Sequence, residues 1–230
     1  MKVGNNLMEA SDTSTISNNI SRKTIILIAK EPIVGNVKTR LVPPLTYEQA
    51  AELADSALLD TIDTIKGINS IDSVLYFQGD PKKYSEAFTS IISQCDGDFS
   101  KRLSFAFMNV SHKQPAMLVA MDTPQITNYL LSAFDPIKFD ACIGMTTDGG
   151  YWIIGFRNPD LAKYAFSDIA MSTNETGKAQ LNRLKELNLN VQILDTLTDF
   201  DDIESAHLVY EMIPSSRFGH TFKKIIEELD

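Results

Sequence analysis

Past the apolar run Thr24–Ala29 the chain reads "AKEPIVGNVKTRLVPPLT" (Ala29–Thr46), a loop holding Lys30, Gly35, Lys38, Thr39 and Arg40. Glycine lets a backbone turn closely around a ligand, and lysine and arginine offset anionic oxygen, so phosphate is the chemistry this combination suits. An ordinary turn with a solvated basic face would use the same residue types. The loop is neither a Walker A sequence nor G-x-G-x-x-G, because Lys38 does not follow a glycine. Arg40 is the stronger phosphate candidate, since its planar fork can grip two oxygens at once.

Acids follow at intervals. Asp122 stands in "AMDTP", Asp148 in "TTDGGYW" beside Gly149, Gly150 and Tyr151, and Asp199, Asp201 and Asp202 in "TLTDFDD". Carboxylates bind a hard divalent cation, Mg2+ or Mn2+, and such a cation can bridge them to a diphosphate. Each acid also has a plainer reading. Asp122 precedes Pro124 and Thr127 and could start a helix. Asp-Gly-Gly makes a tight turn unaided, and Asp202 suits a helix cap. Asp122 is taken as a metal ligand, Asp201 as a candidate second one, and Asp199 stays open between ligand and solvated acid.

These groups need a frame. "TIILIA", "DSVLYFQG", "PAMLVAMD", "DACIGM", "YWIIGF" and "LNVQIL" read as strands. Between them, "LTYEQAAELADSALLDTIDTIKG" has apolar residues at helical spacing, a Thr46/Gln49 capping box and a stop at Gly67. "KKYSEAFTSIIS" and the segment capped by Asp98 also read as helices, as do "TNYLLSAF", "NETGKAQLNRLKELN" and two C-terminal stretches. Alternating strands and helices imply a three-layer α/β/α sandwich with a mainly parallel sheet. Ligands then sit beyond the carboxyl ends of the strands. The basic loop and the three acidic segments would meet on that rim.

The 230 residues suit one globular domain from residue 23 to 230, preceded by an Asn/Ser/Thr-rich stretch over 1–22 read as a mobile tail. A formal net charge of -9 argues against a nucleic-acid partner, which needs a broad basic face. No apolar run approaches the roughly 20 residues of a membrane span. Cys95 and Cys142 lie too far apart in sequence for a CxxC site and fit a reducing, cytoplasmic setting. His112, His207 and His220 show no ligand spacing.

Taken together, "AKEPIVGNVKTRLVPPLTYEQAAELADSALLDT", "GDFSKRL", "LVAMDTPQIT", "IGMTTDGGYWIIGF" and "LDTLTDFDDIESA" resemble the bacterial DUF2064 family, which is similar to GT-A-fold nucleotide-diphospho-sugar transferases and, more distantly, to nucleotidyltransferases. The resemblance implies a GT-A fold and metal-assisted transfer from a nucleotide or nucleotide-sugar donor to a small-molecule acceptor. The alternatives are nucleotidyl transfer releasing pyrophosphate, or a nucleotide-binding module without turnover. It implies that the first loop cradles the nucleotide phosphates, that Asp122 holds the metal, and that Gly149, Gly150 and Tyr151 line the donor or acceptor pocket. Asp148 would orient or deprotonate the acceptor hydroxyl. Two positions depart from the family pattern: Gln125 stands where a second acid is usual, and Met171 replaces an aromatic.

Overall fold

The computed structural model describes residues 22–229. The expected tail, 1–22, lies outside them except for Arg22, whose guanidinium pairs with Asp72 at 2.6 Å. Strand β1 (Lys23–Lys30) shows why an unbroken apolar run forms the centre of the sheet. Ile25, Leu27 and Ala29 enter one buried cluster, and Ile26 and Ile28 enter another on the opposite face. Its neighbours are β2 (Ile71–Gln78) and β4 (Ala116–Ala120), both parallel to it, with Ile26 opposite Val74 and Leu118.

The remaining strands are β3 (Ser90–Ser93), β5 (Ala141–Thr146), β6 (Tyr151–Phe156) and β7 (Val191–Leu197), giving the order β3-β2-β1-β4-β6-β5-β7. Only β6 runs antiparallel, against β4 and β5. The Asp148–Gly150 turn makes β5 and β6 a hairpin, and a parallel β7 resumes the main direction. The fold is the expected mainly parallel α/β sandwich.

Helix α1 (Tyr47–Lys66) opens with the Thr46/Gln49 capping box and ends at Gly67. It covers one face of the sheet with α3 (Asn128–Ser132), through Leu58, Ile62, Ile65, Leu130 and Leu131. Helix α2 (Phe99–Met108), capped by Asp98, covers the other face with α4 (Ala162–Ala165) and α5 (Thr176–Glu186). Helices α6 (Ile203–Met212) and α7 (Arg217–Glu227) pack on α1 around Phe200, Phe218 and Phe222. Asp202 closes a capping box on α6, as its position suggested.

One expected element is different. Residues 82–93 form no continuous helix; a short 3-10 turn at Ser85–Ala87 is followed by β3. Phe88, Ile91 and Ile92 fit helical spacing, but two adjacent β-branched residues fit an edge strand equally well. The free edge of β2 decides, pairing Val74–Phe77 with Ser90–Ser93. Among the described residues no helix is long and apolar enough to cross a membrane.

Because β1, β4, β5 and β7 run the same way, Lys30, Ala120, Thr146 and Leu197 end on one edge of the sheet.

Candidate functional site

That edge carries a cavity of about 490 Å³. Its floor is apolar, made by Ile28, Phe99, Leu103, Leu118 and Ala120, and its rim is charged, made by Arg40, Asp122, Asp148, Asp199 and Asp201. A smaller space of about 190 Å³ adjoins it, lined by Lys30, Lys38 and Thr39 and sharing Arg40, Asp122 and Asp201. The structure therefore brings the basic loop and all three acidic segments to one place. Gly150 and Tyr151 also line the larger cavity, whereas Gly35 and Gly149 line neither.

The basic loop is held from within. Lys30 Nζ donates to the Asn36 carbonyl at 3.0 Å, and Gly35 supplies the turn with φ +80°. A 3-10 turn, Thr39–Leu41, anchors the far side through buried Leu41. The two cations then separate in role. The Lys38 side chain is 8% exposed, and its Nζ lies 3.0 Å from Asp122 Oδ1 and 2.7 Å from Asp201 Oδ1. Burial alone would lower its ammonium, but the Asp122 and Asp201 carboxylates outweigh it and hold it above its ordinary value. Arg40 is 74% exposed, with one ion pair to Asp201 Oδ2 at 3.1 Å.

The β5–β6 turn is built by close approach. Gly149 has φ +93°, and a methyl group there would sit 1.9 Å from the Asn174 carbonyl oxygen. The Gly177 N–H donates to the Gly149 carbonyl at 2.8 Å, docking the start of α5 on the turn. Asp148 Oδ1 accepts from the Thr146 hydroxyl and from the Gly150 N–H at 2.8 Å. Among the described residues no hydrogen bond engages Oδ2. Tyr151 is a wall of this space: its hydroxyl lies 3.4 Å from Gln180 Oε1 and 4.0 Å from Met171 Sδ, and burial pushes its ionisation up. Met171 packs on the second core cluster, in place of an aromatic contact.

Asp199 is the group the sequence left unassigned. Phe200 is fully buried, and its two neighbours, Asp199 and Asp201, both line the cavity. The Asp-Phe-Asp alternation is the signal that could have found it. Carboxylate oxygens of Asp148, Asp199 and Asp201 all lie within 4.8 Å of one another. Burial, then the Asp148 and Asp201 charges, push the Asp199 carboxyl up to about 7. Asp201 is held below its usual range because Lys38 and Arg40 outweigh its burial. Thr123, on the same cavity wall, is buried with a hydroxyl that has no partner. Nothing in the sequence around Thr123 signals this.

These residues fit a hard divalent cation. The donors are all oxygen, they repel one another without a counter-charge, and an unpaired buried hydroxyl stands nearby. Asp122 is not among the three; its Oδ1 faces Lys38 at 3.0 Å.

Gln125 explains how the acidic segment is held. Its Nε2 donates to the Thr198 carbonyl, just before Asp199. A glutamate there would face that carbonyl with a second acceptor. Gln125→Glu is expected to lower stability by about 2–3 kcal/mol, measured by urea unfolding.

Three comparisons bear on this fold and site. The family model DUF2064, described as an uncharacterized protein conserved in bacteria, matches residues 61–173. No curated protein matches the chain. Among solved structures, a protein from Desulfovibrio desulfuricans G20, assigned as a nucleotide-diphospho-sugar transferase, superimposes with a TM-score of 0.82. It is 21% identical, and the match covers 90% of this chain and 96% of that one. The 4-diphosphocytidyl-2C-methyl-D-erythritol synthase of Anaerococcus prevotii is similar at a TM-score of 0.52, with 14% identity over 80% of this chain and 90% of that one. The resemblance read from the motifs is thus borne out: the chain carries a DUF2064 match over residues 61–173, on a fold it shares with the Desulfovibrio protein.

Proposed function

We propose that this chain is a nucleotide-dependent transferase, moving a glycosyl group from a nucleotide-sugar donor to a hydroxyl of a small acceptor. The observation that carries the reading is the single cavity on whose rim Arg40 and four carboxylates meet, at the carboxyl edge of a parallel sheet. Asp148, Asp199 and Asp201 would hold the divalent cation, Mg2+ or Mn2+. When bound, that cation would offset diphosphate charge as a Lewis acid.

The chain's own groups do the rest. Arg40 presents an exposed guanidinium to phosphate oxygens. Its surface ion pair with Asp201 is worth at most about 1 kcal/mol, so exchanging it for a phosphate costs little. Lys30 and Gly35 shape the loop, and Thr39 lies beside the phosphate space. The apolar floor suits the face of a planar ring. Asp148, read from sequence as the acceptor's base, accepts two hydrogen bonds on Oδ1, which fix the carboxylate and suit a held ligand better than a mobile proton acceptor. The name given to the Desulfovibrio protein supports glycosyl transfer; that of the Anaerococcus synthase supports a second reading, nucleotidyl transfer. The products separate them: a nucleoside diphosphate in the first, pyrophosphate in the second. The widely separated thiols fit a cytoplasmic setting.

A thermal-shift screen of nucleotides and nucleotide sugars, with and without Mn2+, tests the site. A ligand at about 100 times its Kd adds roughly 2.7 kcal/mol of stability. Arg40→Ala is expected to remove the shift, and an unchanged shift in that variant would remove the loop from the binding site.

A further inference from the structure

Lys38 joins three segments through one ammonium. It belongs to the loop after β1, and its partners are Asp122 after β4 and Asp201 after β7, at 3.0 and 2.7 Å. The Phe200 ring closes a further side, 4.1 Å from ring centre to Nζ. The backbone there is left-handed, φ +48°, a conformation that non-glycine residues seldom adopt. The chain accepts that strain at a residue whose side chain is almost wholly enclosed.

An ammonium clasped by two carboxylates does the electrostatic work of a hard cation: it gathers oxygen ligands and cancels their repulsion. Asp122, Asp201 and Arg40 line both spaces, Lys38 lines the smaller one, and Asp148 and Asp199 line only the larger. Asp202 is engaged in capping α6. Asp201 is the shared member, facing Lys38 on one side and grouped with Asp148 and Asp199 on the other.

We infer that Lys38 is a built-in cation standing where a second metal ion would otherwise sit between Asp122 and Asp201, so that the cavity takes one divalent ion, held without Asp122. The inference rests on the metal-assisted reading proposed above. Lys38 is therefore a positioning residue rather than a phosphate ligand, and Asp122 serves to hold it.

The test is Mn2+ binding, metal alone, to the full chain and to Lys38→Met and Asp122→Asn, with free Mn2+ followed by electron paramagnetic resonance and folding checked by thermal unfolding. The wild type is expected to bind one Mn2+. Lys38→Met, which keeps the apolar stem, is expected to bind two, because Asp122 and Asp201 are released. Asp122→Asn is expected to keep one. Two ions in the wild type, a single ion in folded Lys38→Met, or loss of Mn2+ from Asp122→Asn would each overturn the inference while leaving the metal reading intact. If Lys38→Met does not fold, the wild-type count and the Asp122 variant decide. A wild type that binds no Mn2+ removes the metal reading itself, and the inference with it.

Discussion

Replacing Asp199 with asparagine should abolish divalent-cation binding and, without metal, make the protein more stable at pH 8. Burial, and then the crowding of Asp148 and Asp201, raises the Asp199 carboxyl from 3.8 to about 7. Its favourable contribution to folding is full below 3.8, where it is protonated in both states. That contribution is lost as pH rises through about 7, where the folded protein must carry the ionised group. The variant's advantage should therefore be largest above pH 7 and vanish near pH 4. Water reaches this carboxyl, so the advantage is discounted to about 1 kcal/mol, or roughly 2–4 °C in Tm for a chain of this length. Metal must displace the same proton, so wild-type Mn2+ affinity should fall by about tenfold per pH unit below 7. Unfolding curves of both proteins from pH 4 to 8, with and without Mn2+, check each part. Equal stability at pH 8 with Mn2+ still bound by the variant would contradict the assignment.

Gly149→Ala should be the most damaging single methyl in the molecule's turns. The added carbon would meet the Asn174 carbonyl oxygen at 1.9 Å and its carbon at 2.5 Å. Both belong to the backbone, so no side-chain rotation relieves the clash. The residue also has φ +93°, a conformation L side chains rarely adopt. A cost of at least about 3 kcal/mol is expected, from strain and overpacking together. The next residue back is Asp148, so Mn2+ binding should weaken even where the variant folds. Gly35→Ala is the matched control. It has φ +80° with nothing within 4 Å of the added carbon, so only the left-handed cost of roughly 1–2 kcal/mol applies. Urea unfolding of the two variants should show the difference, and comparable losses would contradict the docking of α5 on the turn.

Much of this architecture was legible in the residues. Helix α1 carried its period, its capping box and its stop, and the caps at Asp98 and Asp202 stood where they belong. Those signals are local, and local chemistry decides them. Strand β3 was illegible because four residues at an edge owe their conformation to β2, more than a dozen positions away. The site divides in the same way. The rim was legible, because strand ends and their acids and cations can be read in order. The division of labour was not. Lys38 and Arg40 look alike in a sequence, yet one is enclosed by an acid 163 positions away and the other faces water. Asp199 and Asp201 were separable from their surroundings only by noticing that Phe200, between them, had to be core.

The most direct test of the shared cavity is a calorimetric titration of a nucleoside diphosphate into the wild-type protein, once with Mn2+ and once with a chelator. If Arg40 and the acid-held cation grip one diphosphate together, Mn2+ should tighten binding by roughly tenfold or more, and Arg40→Ala should weaken binding in the presence of Mn2+. Equal affinities with Mn2+ and with chelator, unchanged by the loss of Arg40, would contradict it.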